Sequence, residues 1–303
     1  MKSNQRIASI DCGSNSIKYR QYCWQKSNIL VLEDTKRLKI RLGSNAFSRD
    51  GLIENDVVSA IVGGFEQLVR RARSNSASIV RAVGTSALRS AGNAKKVCEI
   101  LRRDTGIEIT VLSGKEEAGL LKYVQLKRSY RKNKCLVVDI GGGSTEFYHA
   151  GAANEFIGSV NLGAVRVMEN RDMASDWNCL KSLLVELNHE SIETVLGVGA
   201  NARIAVRLSG AGNASSASLA DLKIAEANLT GVSVEELSRV FSLSVDRAEL
   251  VPHAIKIWTM ILGRLPNANL YASKWNLCDG VIQQWLIDNN FSTCQILLDA
   301  PTE

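Results

Sequence analysis

Two hydrophobic patterns alternate along this chain. Compact apolar runs bounded by glycine or polar turns occur at residues 29–32, 78–83 and 107–112, and these read as strands. At residues 54–73, 93–104 and 115–126, apolar side chains recur every three or four positions, the spacing of one helix face. The second half repeats the theme. Residues 194–201 read as a strand running into a glycine turn, and amphipathic helices follow at 219–227, 233–241, 247–265 and 277–289. The stretch 209–218, rich in Ser, Gly, Ala and Asn, reads as a flexible loop. Strands alternating with helices predict a layered α/β fold.

One device occurs twice. Ile10-Asp11-Cys12-Gly13-Ser14-Asn15-Ser16 and Val138-Asp139-Ile140-Gly141-Gly142-Gly143-Ser144-Thr145-Glu146 each end an apolar run in Asp-x-Gly. Hydroxyl residues and a second alternating run follow in both. Each copy reads as strand, tight turn and returning strand. The same device opening both halves predicts two related domains. The basic stretch 127–134 marks the junction, with domains at 1–128 and 129–303 and the last helix free to pack back on the first.

Composition narrows the class. With 303 residues, 45% hydrophobic and 22% charged, the chain suits a two-domain globular protein that needs neither disulfide nor metal to fold. No run approaches the ~18 apolar residues of a membrane span. The opening segment is broken by Asp11 and is no signal peptide, so the expected location is cytoplasmic. Seven cysteines without a C-x-x-C pair predict reduced core thiols. A net charge of +6 is compatible with an anionic partner.

The paired loops carry the chemistry. Glycine turns allow close backbone approach, and exposed N–H groups with Ser and Thr hydroxyls cradle phosphate oxygens. The Asp ending each strand can hold Mg²⁺ through waters or orient a nucleophilic water. Two ordinary hairpin turns would explain the hydroxyls but not a glycine triplet followed by Ser144-Thr145-Glu146.

These motifs resemble the actin-like ATPase superfamily, and more closely the exopolyphosphatase / guanosine pentaphosphatase family. The resemblance extends through Arg41-Leu42-Gly43, Val83-Gly84-Thr85-Ser86-Ala87-Leu88-Arg89, Ser113-Gly114-Lys115-Glu116-Glu117-Ala118, Leu162-Gly163-Ala164-Val165-Arg166 and Asp246-Arg247-Ala248-Glu249. It implies an α/β fold of two ribonuclease H-like, actin-like domains with an interdomain cleft. It implies Glu117 as the base activating the attacking water, the alignment preferring it to Glu116, and Arg89 on the scissile phosphate. Asp11, Gly13, Ser14, Asn15 and Ser16 of the first loop would bind phosphate. So would Gly141, Gly142, Gly143, Ser144 and Thr145 of the second. Asp139 and Glu146 would hold Mg²⁺ or Mn²⁺. The implied substrate is inorganic polyphosphate or guanosine pentaphosphate, with no membrane and no nucleic acid as partner. Such families often form homodimers. The basic residues Lys122, Lys127, Arg128, Arg131, Lys132 and Lys134 either track a polyphosphate chain or form a solvated surface.

Two departures lie in the expected second domain. Relatives carry Thr in the third glycine turn where this chain has Asn201, and Arg in a near-terminal Leu-Arg-Glu-Gly where it has Cys278 in Leu277-Cys278-Asp279-Gly280. The chain also resembles the short family form, without the added helical domain of some relatives. A superfamily kinase and a non-hydrolysing polyphosphate or alarmone sensor are the alternatives in other functional classes.

Overall fold

The hairpin that opens the chain seeds the first sheet. β1 (Arg6–Cys12) turns through residues 13–16 into antiparallel β2 (Ile17–Trp24), with Asp11 opposite Lys18. β3 (Ile29–Leu38) continues the meander. A short helix α1 (Gly43–Ala46) and the long α2 (Asn55–Ser74) lead to β4 (Ala77–Gly84), parallel to β1. Then come α3 (Ser86–Ser90), α4 (Ala94–Thr105) and β5 (Ile109–Val111), parallel to β4. β1 is buried along all but its first residue, so both faces of the sheet must be covered. Val58, Ile61, Phe65, Leu68 and Ala72 form the buried stripe of α2, which covers one face.

The second sheet grows from the second hairpin. After α5 (Gly114–Gly119), β6 (Cys135–Ile140) turns through residues 141–144 into antiparallel β7 (Thr145–His149), with Asp139 opposite Glu146. β8 (Phe156–Val160) extends the meander, followed by α6 (Ala164–Met168) and α7 (Ala174–Asn188). β9 (Thr194–Val198) runs parallel to β6 and leads into α8 (Gly199–Ser209). The remaining elements are β10 (Ser216–Ala217), α9 (Leu219–Leu229), α10 (Val234–Val240), α11 (Val245–Ala248), α12 (Val251–Gly263) and β11 (Asn269–Ala272). Fully buried Trp258 of α12 lies in the core with Leu136, Val138 and Phe147 of the sheet.

The chain then returns. α13 (Leu277–Asp288) packs on β1, β2 and β4, and β12 (Gln295–Leu297) joins the edge of the first sheet parallel to β3. Ser9 Oγ donates to the Cys278 carbonyl, so α13 covers the face of β1 that carries Ser9 and Asp11. This computed structural model describes residues 4–25, 28–47, 51–124, 132–151, 154–188, 191–209 and 215–298. It divides into residues 1–113 with 275–303, and residues 114–274. Strand orders are β12-β3-β2-β1-β4-β5 and β10-β11-β9-β6-β7-β8. Without the outermost β12 and β10 these are one topology used twice: three antiparallel strands, then two parallel to the first.

The unit boundary differs from the expected 128/129. α5 packs on β7 and β8, so Glu117 belongs to the second unit rather than the first. Packing of α13 on the first sheet brings residues 275–303, Cys278 among them, into the first unit. The helix expected at 115–126 stops at Gly119 and tightens into a 3₁₀ turn over Leu120–Tyr123, while 125–126 fall outside the described residues. The helix expected at 247–265 is broken ahead of Pro252, which lacks the N–H an interior helix position would donate. Of the basic stretch, Lys127, Arg128 and Arg131 lie outside the described residues, as do residues 210–214 of the loop expected at 209–218, in which Ser216–Ala217 form β10. All seven cysteines are free, five of them buried; Cys179 of α7 is exposed and Cys98 partly so.

Candidate active site

Each unit carries one of the two predicted glycine loops, and the loops are built alike. In the first, Gly13 N–H donates to the Ser16 carbonyl at 3.2 Å and closes the loop. In the second, Gly141 N–H donates to the Ser144 carbonyl at 2.9 Å. A Leu-Gly step then braces each loop. Gly43 N–H donates to the Ser14 carbonyl at 2.8 Å, and Arg41 Nε donates to Asn15 Oδ1 at 3.0 Å. Opposite the second loop, Ala164 N–H reaches the Gly141 carbonyl at 3.0 Å and Val165 N–H the Gly142 carbonyl at 2.8 Å. Arg166 Nε completes the set on the Gly143 carbonyl at 2.7 Å. The carbonyl edge of this loop is therefore engaged by the start of α6. Contact is so close that a Cβ on Gly163 would lie 2.5 Å from the Gly142 carbonyl group.

Charge separates the two hairpins. Lys18 Nζ donates to Asp11 Oδ2 at 2.7 Å, while buried Asp11 Oδ1 has no hydrogen-bond partner. At the equivalent register position the second hairpin has Glu146 facing Asp139, carboxylate opposite carboxylate. Side chains paired directly across antiparallel strands share a face, and like charges there are unfavourable. Glu146 is buried and accepts Ser159 Oγ at 3.1 Å. The third glycine turn closes on the same hairpin. Gly199 adopts φ +81°, and a Cβ there would approach Asp139 Oδ1 to 3.0 Å. Asn201 Nδ2 donates to the Ile140 carbonyl at 2.7 Å, a bond that ties this turn to the phosphate loop.

The hydroxyls do not all face outward. Thr145 is buried, and its Oγ1 donates to the Leu162 carbonyl, so it supports the second loop from beneath. Ser14, Ser16 and Ser144 are also buried, while Gly13, Asn15, Gly141 and Gly142 are partly accessible. In the first unit Arg89 lies in α3, just past the strand beside β1, and its Nη1 donates to the Leu112 carbonyl at 2.7 Å. Neighbouring Ser86 is buried with its Oγ unpartnered. The two neighbouring glutamates differ in burial: Glu117 is 9% exposed in the first turn of α5, while Glu116 is exposed.

The sequence profile of the Ppx/GppA phosphatase family matches residues 25–289. The chain belongs to that family. A guanosine-5′-triphosphate,3′-diphosphate pyrophosphatase of Vibrio atlanticus is 33% identical over 168 residues, 54% of this chain and 32% of that protein. The matched region thus spans about a third of the length of such curated relatives. The fold matches an exopolyphosphatase from Cytophaga hutchinsonii, with TM-score 0.78, 19% identity and coverage of 96% and 100% of the two chains. It also matches the Aquifex aeolicus Ppx/GppA member, with TM-score 0.71, 20% identity and coverage of 94% and 99%. This Ppx/GppA chain therefore has the two-domain actin-like fold. No helix among its described residues is long and apolar enough to cross a membrane.

Arg41, Arg166 and Lys18 touch the two hairpins, and Ser86 lies just past the strand beside β1. Each sits in or beside a recognised motif, but only the folded register shows what it touches. Cys278 is packed under the first hairpin against the Ser9 and Lys18 carbonyls. Burial pushes its thiol up to about 12.

Proposed function

We propose that the protein is a phosphoanhydride hydrolase that releases terminal orthophosphate from inorganic polyphosphate. The observation carrying this reading is the pair of matched Asp–glycine-loop hairpins, together with a buried glutamate at the start of α5. Loop N–H groups and hydroxyls bind phosphate oxygens. Arg89 offers a planar guanidinium suited to a phosphate's bidentate geometry. Glu117 takes the proton of the attacking water, a task for which a carboxylate shielded from solvent is suited.

The donor set fits Mg²⁺. Asp139 and Glu146 face each other on neighbouring strands, and Asp11 keeps a buried carboxylate oxygen without a hydrogen bond. No group of three or more His, Cys, Asp or Glu residues able to hold a metal occurs among the described residues. Mg²⁺ suits such a site because it is usually bound through one or two carboxylates, with waters and substrate phosphates completing its shell. Asp139 and Glu146 would hold it, and when bound it neutralises charge developing on the transferred phosphoryl group.

A second reading, hydrolysis of the terminal 5′-phosphate of guanosine pentaphosphate, draws on the names of the curated relatives. One experiment addresses both: phosphate release from long-chain polyphosphate and from guanosine pentaphosphate with Mg²⁺, wild type against Glu117→Gln. Loss of the base should lower kcat by about 10²–10⁴-fold. Equal turnover in the variant removes Glu117 from the mechanism, and the faster wild-type substrate decides between the readings.

A further inference from the structure

Arg89 stands in a helix too short to hold itself. α3 has five residues, far below the ~12–15 at which an isolated helix becomes stable. What fixes Arg89 is therefore what grips the two ends of α3. The strands hold the first end: Thr85 N–H donates to the Cys12 carbonyl at 3.4 Å, and Arg89 N–H donates to the Thr85 carbonyl at 2.9 Å. The guanidinium rests on the Leu112 carbonyl, and Leu112 N–H is tied in turn to the Gly84 carbonyl at 2.9 Å.

A clasp holds the second end. Asn93 Oδ1 accepts Ile53 N–H at 3.0 Å, and Asn93 Nδ2 donates to the Ile53 carbonyl at 2.8 Å. One side-chain amide thus pairs with both polar groups of a single backbone residue. Gly92 N–H adds a bond to the Gly51 carbonyl at 2.6 Å, and buried Ile53 anchors the clasp in the core. Asn93 also stands at the N-cap position of the twelve-residue α4. Asn is among the best capping residues, its side chain normally accepting from an N–H two or three positions on. Here it makes no cap bond, and its amide serves instead to join segments 40 residues apart.

Ile53 lies at the α2 end of the connection that leaves β3. The start of the same connection braces the first glycine loop through Arg41 and Gly43, and its helix α1 packs on α3. We infer that Asn93 is a positioning residue for Arg89: through Ile53 it sets α3 against the connection that also holds the first glycine loop, so that guanidinium and loop meet a phosphate chain in one register. This role rests on the proposed placement of Arg89 on the scissile phosphate, and it adds a residue that acts without touching the substrate.

A double-mutant cycle of Asn93→Ala and Arg89→Ala tests it on two readouts. These are affinity for inorganic tripolyphosphate in EDTA by calorimetry, and turnover of long-chain polyphosphate with Mg²⁺. With Arg89 present, Asn93→Ala should lose about tenfold in affinity and on the order of 10²-fold in turnover. With Arg89 already alanine, it should lose nothing further. Asn93→Ser controls for folding: its hydroxyl can cap α4 but cannot span both Ile53 groups. It should keep the wild-type Tm and show the same losses. Equal losses in both backgrounds overturn the inference, because a merely structural defect does not depend on Arg89. So do wild-type affinity and turnover in Asn93→Ser. Wild-type affinity and turnover in Arg89→Ala overturn the placement of Arg89 and the inference together. A wild type that binds tripolyphosphate but releases no phosphate refutes the proposed hydrolysis, and the affinity cycle still decides the role of Asn93.

Discussion

Substituting Gly163 by Ala tests whether the second phosphate loop is held by backbone contact. The added Cβ would lie 2.5 Å from both the carbonyl carbon and oxygen of Gly142, and 2.6 Å from Gly143 N. Unstrained contacts between carbon atoms begin near ~3.5 Å, so the two segments must separate by about 1 Å. No side chain can swing aside, because every one of those atoms is backbone. Separation stretches the bonds from Val165 and Arg166 N–H to the Gly142 carbonyl, now 2.8 and 3.2 Å. Overpacking costs about 1–3 kcal/mol, and each weakened hydrogen bond adds up to ~1 kcal/mol. The expected loss is therefore about 2–4 kcal/mol in urea unfolding. In the proposed reaction, a 1 Å displacement of a positioning element costs on the order of 10²-fold in turnover. Gly63→Ala is the control, and it should unfold at the same or slightly higher urea because its Cβ meets nothing within 4 Å. A Gly163→Ala protein with wild-type midpoint refutes the reasoning whatever its activity.

Two further predictions concern stability. Asp279 is fully buried, accepts from Arg20, from Tyr22 Oη at 2.7 Å and from Asn276 N–H at 2.6 Å, and so caps α13 while anchoring it to β2. Asp279→Ala leaves the Arg20 charge without this partner and should cost about 3–5 kcal/mol in denaturant unfolding; a loss below ~1 kcal/mol would mean that α13 is anchored elsewhere. His253 has its pKa held below the usual histidine value by burial and then by Lys256, with Asp172 opposing. As pH falls below about 6.5 the unfolded chain takes up this proton before the native one, so stability present at neutral pH declines toward the lower native pKa. His253→Gln should flatten that part of a Tm-against-pH curve, and an unchanged slope would assign it to other groups.

Both hairpins were legible because a strand that ends in Asp-x-Gly and restarts after four residues leaves the chain one short-range solution. That logic gave Asp11, Asp139 and the two loops. Other features depend on contacts distant in sequence. Which sheet a six-residue helix packs on is not written in its residues, so the pattern alone groups Glu117 with the first domain, whereas α5 rests on β7 and β8. β10 and β12 have two and three residues, too few for a period to appear. Arg41 and Arg166 were visible as motif members, but both loops had to be built before each guanidinium could be seen on the third loop residue. Cys278 looked like a lost site arginine. In the folded chain it is a buried thiol on the far side of β1 from α2, and the polar work at that end of α13 falls to Asp279.

Duplication makes one of the unequal positions informative. The seventh residue after each loop aspartate lies directly across the hairpin from it, as Lys18 in the first unit and Glu146 in the second. In the first, the chain supplies its own cation to a nearly inaccessible carboxylate, and the loop reaches its folded form with that charge already matched. In the second, the equivalent site sets a carboxylate, buried in the case of Glu146, against another carboxylate. Such an arrangement is unfavourable for folding alone and more so beside a polyanion. The proposed Mg²⁺ gives it a reason: a cation bound with the substrate offsets both carboxylates at once. The two halves thus share a backbone and differ in the charge set across the hairpin, a lysine facing Asp11 in one and a glutamate facing Asp139 in the other.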